Sequence, residues 1–281
     1  MSFKRNAGKH TSEFRRNKPV NAAKRAADRK ANAMIAGSVA VAVLVAGAWW
    51  QFQPPAVDSA TNCRMDGVIP SHTVVLIDAT DALPSVAASD LRARLERIQS
   101  DLEPHAKLSI LTVEGRAGAE PLREVFSGCN PGRGADANFL FSNPQKVERA
   151  WRSTFAQPLD AQIARLGSLE QASSTPLLEA FYLVGAREDF GPRVGDRQLV
   201  VVSDFLHHTD DFSHYRPPFA LDDSLQASAY MRSLMPRLDG VSIEPVFVPR
   251  REVASLQGRA HRTFWRDYFR HNGSPVGLFE G

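Results

Sequence analysis

Three separated stretches of this 281-residue chain carry side-chain oxygens in patterns suited to metal chemistry. Asp78-Ala79-Thr80-Asp81-Ala82 follows the apolar run Thr73–Ile77. Ser173-Ser174-Thr175-Pro176 precedes Leu177-Leu178. Ser203-Asp204 follows Leu199-Val200-Val201-Val202. Carboxylates together with hydroxyls are hard donors and suit a divalent cation such as Mg²⁺, which keeps several of its waters. Side chains of these three stretches could therefore meet around such a cation. A plainer local reading also exists, because Asp, Ser and Thr cap helices and satisfy loop amides.

A second cluster lies immediately beyond. Residues 204–215 read DFLHHTDDFSHY, which crowds His207, His208, Asp210, Asp211 and His214 into eight positions. Imidazole with carboxylate could hold Zn²⁺ or another transition metal and serve a metal-dependent hydrolase. A solvated loop and a rim contacting a partner are the competing readings. The chain has no Gly-x-Ser-x-Gly elbow, no phosphate loop and no Gly-x-Gly-x-x-Gly fingerprint. On these motifs no enzymatic activity is assigned.

Positioning these residues requires strands. Thr73–Asp78, Lys107–Val113, Leu199–Val202 and Val241–Val248 are short apolar runs of the kind buried on both faces of a parallel sheet. Leu122–Phe126 reads as a short edge strand. Between them fall helical patterns. Leu91, Leu95, Ile98 and Leu102 suggest a helix capped by Ser89 and ended by Pro104. Asn143-Pro144 opens another carrying Val147, Trp151 and Phe155, which Pro158 breaks before Leu159, Ile163 and Leu166. Thr175-Pro176 opens a third, with Leu177, Leu178, Phe181 and Tyr182 turned inward. Residues 223–235 read as helix. So do residues 255–271, where Phe264, Trp265, Tyr268 and Phe269 point to the core and Arg262, Arg266 and Arg270 to water. Alternating strands and helices predict an α/β fold with a doubly wound, mostly parallel sheet flanked by helices.

With the oxygen-bearing loops at strand ends, the pattern resembles the von Willebrand factor type A (vWA) domain and its metal-ion-dependent adhesion site. That site uses an Asp-x-Ser/Thr-x-Ser loop, a distant Thr and a distant Asp. Asp78 and Thr80 match the first two loop positions, Thr175 the distant Thr and Asp204 the distant Asp. The third loop position is Ala82, which has no side-chain oxygen; the implied ligand set is thus Asp78, Thr80, Thr175 and Asp204, with water or nearby Asp81 in place of the missing hydroxyl. The resemblance spans roughly residues 70–250. It implies a cation whose open position accepts a carboxylate from a partner protein, with Asp204 ligating through water. A scaffold that has kept the fold and lost the ion is the reading that Ala82 favours.

Residues 34–52 (MIAGSVAVAVLVAGAWWQF) form an uncharged apolar run, and no charge occurs between Lys30 and Asp58. As a helix it rises about 28 Å, close to the bilayer's hydrocarbon thickness. Trp49 and Trp50 suit the interface, and Pro54-Pro55 stop the helix. Residues 1–33 hold ten Lys or Arg against Glu13 and Asp28, a net of +8. The whole chain is +3, so the remainder is −5. The basic face therefore belongs to the tail, which lacks the apolar residues to fold and reads as disordered. It lacks the interleaved aromatics of a nucleic-acid surface, so nucleic acid is an unlikely partner. The positive-inside rule puts that tail in the cytoplasm and the rest in the periplasm of a bacterium. A cleaved signal ending at Ala46-Gly47-Ala48 is the alternative. The organisation expected is a cytoplasmic tail (1–33), a transmembrane helix (34–52), a linker (53–70) and a vWA-like domain (71–281). Cys63 and Cys129 are the only cysteines. In an oxidising compartment they could pair; otherwise they are free thiols. The function expected is a protein-binding module anchored in the bacterial inner membrane.

Overall fold

The computed structural model describes residues 20–51, 55–116, 118–137, 143–165, 172–216 and 220–277. They form two compact units, Met1–Pro54 and Pro55–Gly281. In the first, α1 spans Val20–Gln51. Its stretch Lys24–Gln51 is 28 residues long and apolar enough to cross a membrane, and all of its described side chains are exposed. The helix begins well before residue 34, so residues 20–33 are helical where the composition suggests disorder. Lys and Arg are good helix formers, and the Ala residues between them add propensity. Residues 1–19 of the basic tail and Phe52 lie outside the described residues.

The second unit is built on one five-stranded sheet of order β3-β2-β1-β4-β5. The strands are β1 (Ser71–Asp78), β2 (Lys107–Val113), β3 (Leu122–Cys129), β4 (Asp196–Ser203) and β5 (Ser242–Phe247). All neighbours are parallel except β3, an antiparallel edge strand with a bulge opposite Ile110/Leu111. The α/β, mostly parallel, doubly wound architecture expected from the sequence is present. Successive side chains of a strand point to opposite faces, and β1 shows it. Val74 and Leu76 join one core with Leu199, Val201, Phe181, Phe264, Trp265 and Phe269. Val75 and Ile77 join the other with Val200, Val202, Leu91, Leu95, Trp151 and Phe155. Such two-sided burial explains the unbroken apolar runs.

Helices cover both faces. They are α2 (Ser85–Asp101), α3 (Pro144–Trp151), α4 (Gln157–Arg165), α5 (Leu177–Gly185), α6 (Leu221–Ala227), α7 (Ala229–Ser233) and α8 (Arg259–His271). Asn143 caps α3, accepting from the amides of Gln145 (3.0 Å) and Lys146 (3.3 Å). Several details differ from the pattern-based reading. Helix α2 starts four residues before Ser89, whose hydroxyl instead donates to the Val86 carbonyl within the first turn. Pro158 does not break the chain between α3 and α4. It is the second residue of α4, and a π-helical turn at Arg152–Ala156 joins the two helices without a break. Tyr182 is 42% exposed rather than inward, because the buried face of α5 is set by Leu178, Phe181 and Val184. The helical region near 223–235 is divided at Ser228, whose extended backbone lets its hydroxyl cap α7. Residues 255–258 precede α8 rather than belonging to it. Leu166 lies outside the described residues.

Candidate functional site

Strands β2 and β4 flank β1 on opposite sides, so the chain order reverses at the β1/β4 boundary. In open α/β sheets that is where a crevice forms beyond the carboxyl ends of the strands. Asp78 is the last residue of β1, and Ser203 the last of β4. Asp78 Oδ1 accepts from the Thr80 amide (3.1 Å) and hydroxyl (2.6 Å). Asp78 Oδ2 accepts from the Ser203 hydroxyl at 2.6 Å. The Thr80 and Thr175 hydroxyl oxygens are 2.9 Å apart. Asp204 Oδ1 accepts from the Leu206 amide at 2.8 Å. Asp78, Thr80, Ser203 and Asp204 are all buried, while Thr175 is half-buried.

Buried carboxylates are costly to ionise. Burial pushes Asp204 up to about 6, and the neighbouring charge of Asp78 adds to the rise. Burial also raises Asp78, against the hydrogen bonds from Ser203 and Thr80, which favour its charged form. The Arg250 charge works against the rise at Asp204.

Each loop is fixed by the backbone. The Thr80 carbonyl accepts from the Ala172 amide (2.7 Å), tying the first loop to the second. Thr175 and His208 exchange backbone hydrogen bonds of 2.8 and 3.0 Å, tying the second to the third. The turn after Asp204 is made by Phe205 in the left-handed region, with φ of 59°. For a bulky residue this conformation costs on the order of 1 kcal/mol. It is held because the Phe205 amide donates to Ser203 Oγ (2.8 Å). Its carbonyl accepts from Trp265 Nε1 and His261 Nε2, both at 2.7 Å.

The His/Asp loop does not assemble a metal site. His207 is buried, and its Nδ1 accepts from the Leu178 amide (3.3 Å) at the start of α5. His208 Nδ1 pairs with Ser213 Oγ (2.8 Å). His214 packs among the rings of His261, Phe264 and Trp265. Asp210 and Asp211 are exposed. Among the described residues no group of three or more His, Cys, Asp or Glu side chains is arranged to hold a metal. The loop instead positions Thr175 and the start of α5.

Three neighbours of the site were not singled out from the sequence. Ser203 was visible only as part of the Ser203-Asp204 segment. Arg250 follows β5 at the same sheet edge and reaches Asp204 Oδ2 (3.1 Å) and Asp81 Oδ2 (3.2 Å). Gln257, buried, links the backbones of Asp204 and Arg250. Position alone would have flagged Arg250 as a rim residue.

Cys63 and Cys129 form a disulfide with Cα atoms 4.8 Å apart. Cys129 pairs with Lys107 at the start of β2, so the bond lies at the sheet edge opposite the candidate site.

No protein-family model matches the sequence, and no curated protein matches it. Solved structures similar to it include an aerotolerance-related membrane protein from Bacteroides fragilis, at 11% identity over 75% of this chain and 92% of that one, with a TM-score of 0.35. A vWA protein from Catenulispora acidiphila is 14% identical over 73% of this chain and 42% of that one, with a TM-score of 0.33. The pilus adhesin SpaC from Lactobacillus rhamnosus GG is 13% identical over 50% of this chain and 15% of that one, with a TM-score of 0.29. The chain thus spans less than half the length of the last two. At these values the likenesses say nothing of function, and the fold stands on its own strand order and register. The second unit is an α/β domain: a mostly parallel five-stranded sheet between helices.

Proposed function

We propose that this chain is a protein-binding module of the bacterial cell envelope, anchored by α1 and dependent on a divalent cation held at the rim of its sheet. The observation that carries this is the joining of Asp78, Thr80, Thr175 and Ser203 by hydrogen bonds at one strand edge, beside buried Asp204. The donors are all oxygen, as a hard cation such as Mg²⁺ prefers. The two buried carboxyls, both raised by burial, are the groups such a charge would settle. Asp78, Thr80 and Thr175 would ligate directly or through water, and Asp204 through water. A bound cation supplies an open coordination position for a carboxylate of the partner. The protein's own residues fix the geometry of that position and keep the surrounding carboxylates dry. No catalytic step is assigned.

The basic residues before α1's apolar stretch support an N-terminus in the cytoplasm, an inner-membrane span and a periplasmic domain. Phosphatase and fluorescent reporters fused after residue 55 test this; activity only on the cytoplasmic side would reverse it.

The cation reading is tested on the full chain in detergent. Mg²⁺ should raise the melting temperature, by the equivalent of about 2.7 kcal/mol at one hundred times Kd. Asp78→Ala and Asp204→Ala should abolish the rise. Capture of a partner from the envelope should fail in chelator. Melting and capture both indifferent to Mg²⁺ would leave the metal-free scaffold that Ala82 suggests.

A further inference from the structure

The cation reading leaves one charged group at the rim unexplained. Arg250 Nε donates to Asp204 Oδ2 (3.1 Å), and Nη2 reaches Asp81 Oδ2 (3.2 Å). Nη1 donates to the Ala82 carbonyl at 3.4 Å. One guanidinium thus spans the β1 loop and the β4 loop. It does so at the loop position where the resemblance leads one to expect a hydroxyl and the chain has Ala82. Arginine suits such bridging because its fork is planar and always charged.

This is a held arginine. Its backbone amide donates to Gln257 Oε1 at 2.7 Å. Gln257 Nε2 in turn donates to the carbonyls of Asp204 (3.0 Å) and Val248 (3.2 Å). Gln257 is only 5% exposed. The buried amide therefore fixes the Arg250 backbone to the Asp204 backbone and aims the side chain back across the rim.

The geometry gives the consequence. Two of the three carboxyl groups at this rim, Asp204 and Asp81, are already paired with the Arg250 guanidinium. A divalent ion bound there would have to share them with it. Like charges held on the same carboxylates repel, so the guanidinium opposes the ion.

We infer that Arg250 is a resident cation of the site, which competes with the divalent ion for Asp204 and Asp81 and sets its affinity low. This rests on the cation reading proposed above. Partner binding would then require metal levels well above those that fill a site without the arginine.

The test is Mn²⁺ binding to the full chain in detergent, read by the loss of the free-ion paramagnetic resonance signal. Arg250→Gln should bind Mn²⁺ at least tenfold more tightly than wild type, and Arg250→Lys, which keeps the charge, should stay near wild type. Ala82→Ser lies on an exposed position and should fold whatever Arg250 does; it restores the hydroxyl and should gain less than Arg250→Gln. Equal affinity in wild type and Arg250→Gln would overturn the inference while leaving the cation reading intact. So would Ala82→Ser alone reaching the tightest affinity. No Mn²⁺ binding by any variant at millimolar concentration would remove the cation reading and the competition together.

Discussion

The Ser203 hydroxyl sits 2.6 Å from Asp78 Oδ2, although 125 residues separate the two in the chain. The same oxygen accepts from the Phe205 amide at 2.8 Å. One hydroxyl thus serves a buried carboxylate on β1 and the strained turn after β4. Parallel pairing of β1 with β4 makes this possible, since Ile77 lies opposite Val202 and both strands end at the same edge.

Ser203→Ala should therefore cost more than an ordinary buried hydrogen bond. It leaves Asp78 Oδ2 and the Phe205 amide both short of a partner. Losing a partner of a buried polar group costs about 1–3 kcal/mol. Urea unfolding should show a lower midpoint with an unchanged slope. An unchanged midpoint would mean that water replaces the hydroxyl at no cost.

Gly115 follows β2 and is buried against the Thr175 loop. A Cβ there would collide with the Ser174 carbonyl and come within 2.9 Å of Ala172 Cβ. Ser174 Oγ also donates to the Gly115 carbonyl at 3.0 Å. The obstructing atoms are largely backbone, so Gly115→Ala must push the loop, at a cost of about 1–3 kcal/mol. Thr175 moves with it. The variant should lose most of the Mg²⁺-induced rise in melting temperature. Gly191→Ala, where the nearest atom is 3.5 Å away, is the control and should keep it. A full response in Gly115→Ala would show that Thr175 is dispensable.

Much of this arrangement is legible in the sequence because buried parallel strands write themselves as unbroken apolar runs. Asp78, Ser203 and Thr175 stand directly beside such runs or a helix start, so their place at a strand edge follows from the chain order. What escapes is whatever depends on where a long side chain reaches. Arg250 is 46 residues from Asp204 and meets it only because β5 lies beside β4. The histidines mislead for a related reason. His207 and His214 look like ligands in a polar run, but both rings are buried, His207 against the Leu178 amide and Phe212 and His214 among His261, Phe264 and Trp265. Tyr182 misleads in the other direction, as an aromatic ring on the exposed side of an otherwise apolar helix.

Those buried histidines give the domain a steep acid limit. His72, His207, His214 and His261 are almost fully buried. Burial lowers His72 and His261 to about 4 and His207 to about 3, and lowers His214 far as well. His72 is held neutral by geometry too. Its Nδ1 donates to the Asp189 carbonyl (2.8 Å), while Nε2 faces Ser109 Oγ (2.9 Å). Below the ordinary histidine value of 6.5 the unfolded chain takes up these protons and the folded one does not. Stability is therefore complete above pH 6.5 and is lost as pH falls toward 4. Asp204 and Asp78, both raised, oppose this below about pH 6. The four histidines outnumber the two carboxyls, so the net slope keeps the histidines' sign and stability falls as pH falls. Denaturant midpoints measured from pH 7 to 4.5 should fall accordingly, and His72→Gln should flatten the slope by about one proton. A flat profile would mean that the histidines are solvated.

The Cys63–Cys129 bond closes a span of 66 residues. Cross-linking a loop of that length removes unfolded-state entropy worth about 4 kcal/mol in the chain-entropy description. The bond also anchors the incoming segment, where the Cys129 amide donates to the Thr61 carbonyl (2.8 Å) and Val57 bridges Arg64. Its position matters as much as its strength. Because β3 runs antiparallel to β2, Cys129 lies opposite Lys107, at the far edge from Asp78 and Ser203. Reduction, or the paired change Cys63→Ser with Cys129→Ser, should lower the melting temperature markedly. Well below that temperature, the Mg²⁺ response should be unchanged. Loss of the response in a folded, reduced protein would mean that the two edges of the sheet are coupled, and an unchanged melting temperature would mean that the loop contributes little to the unfolded ensemble.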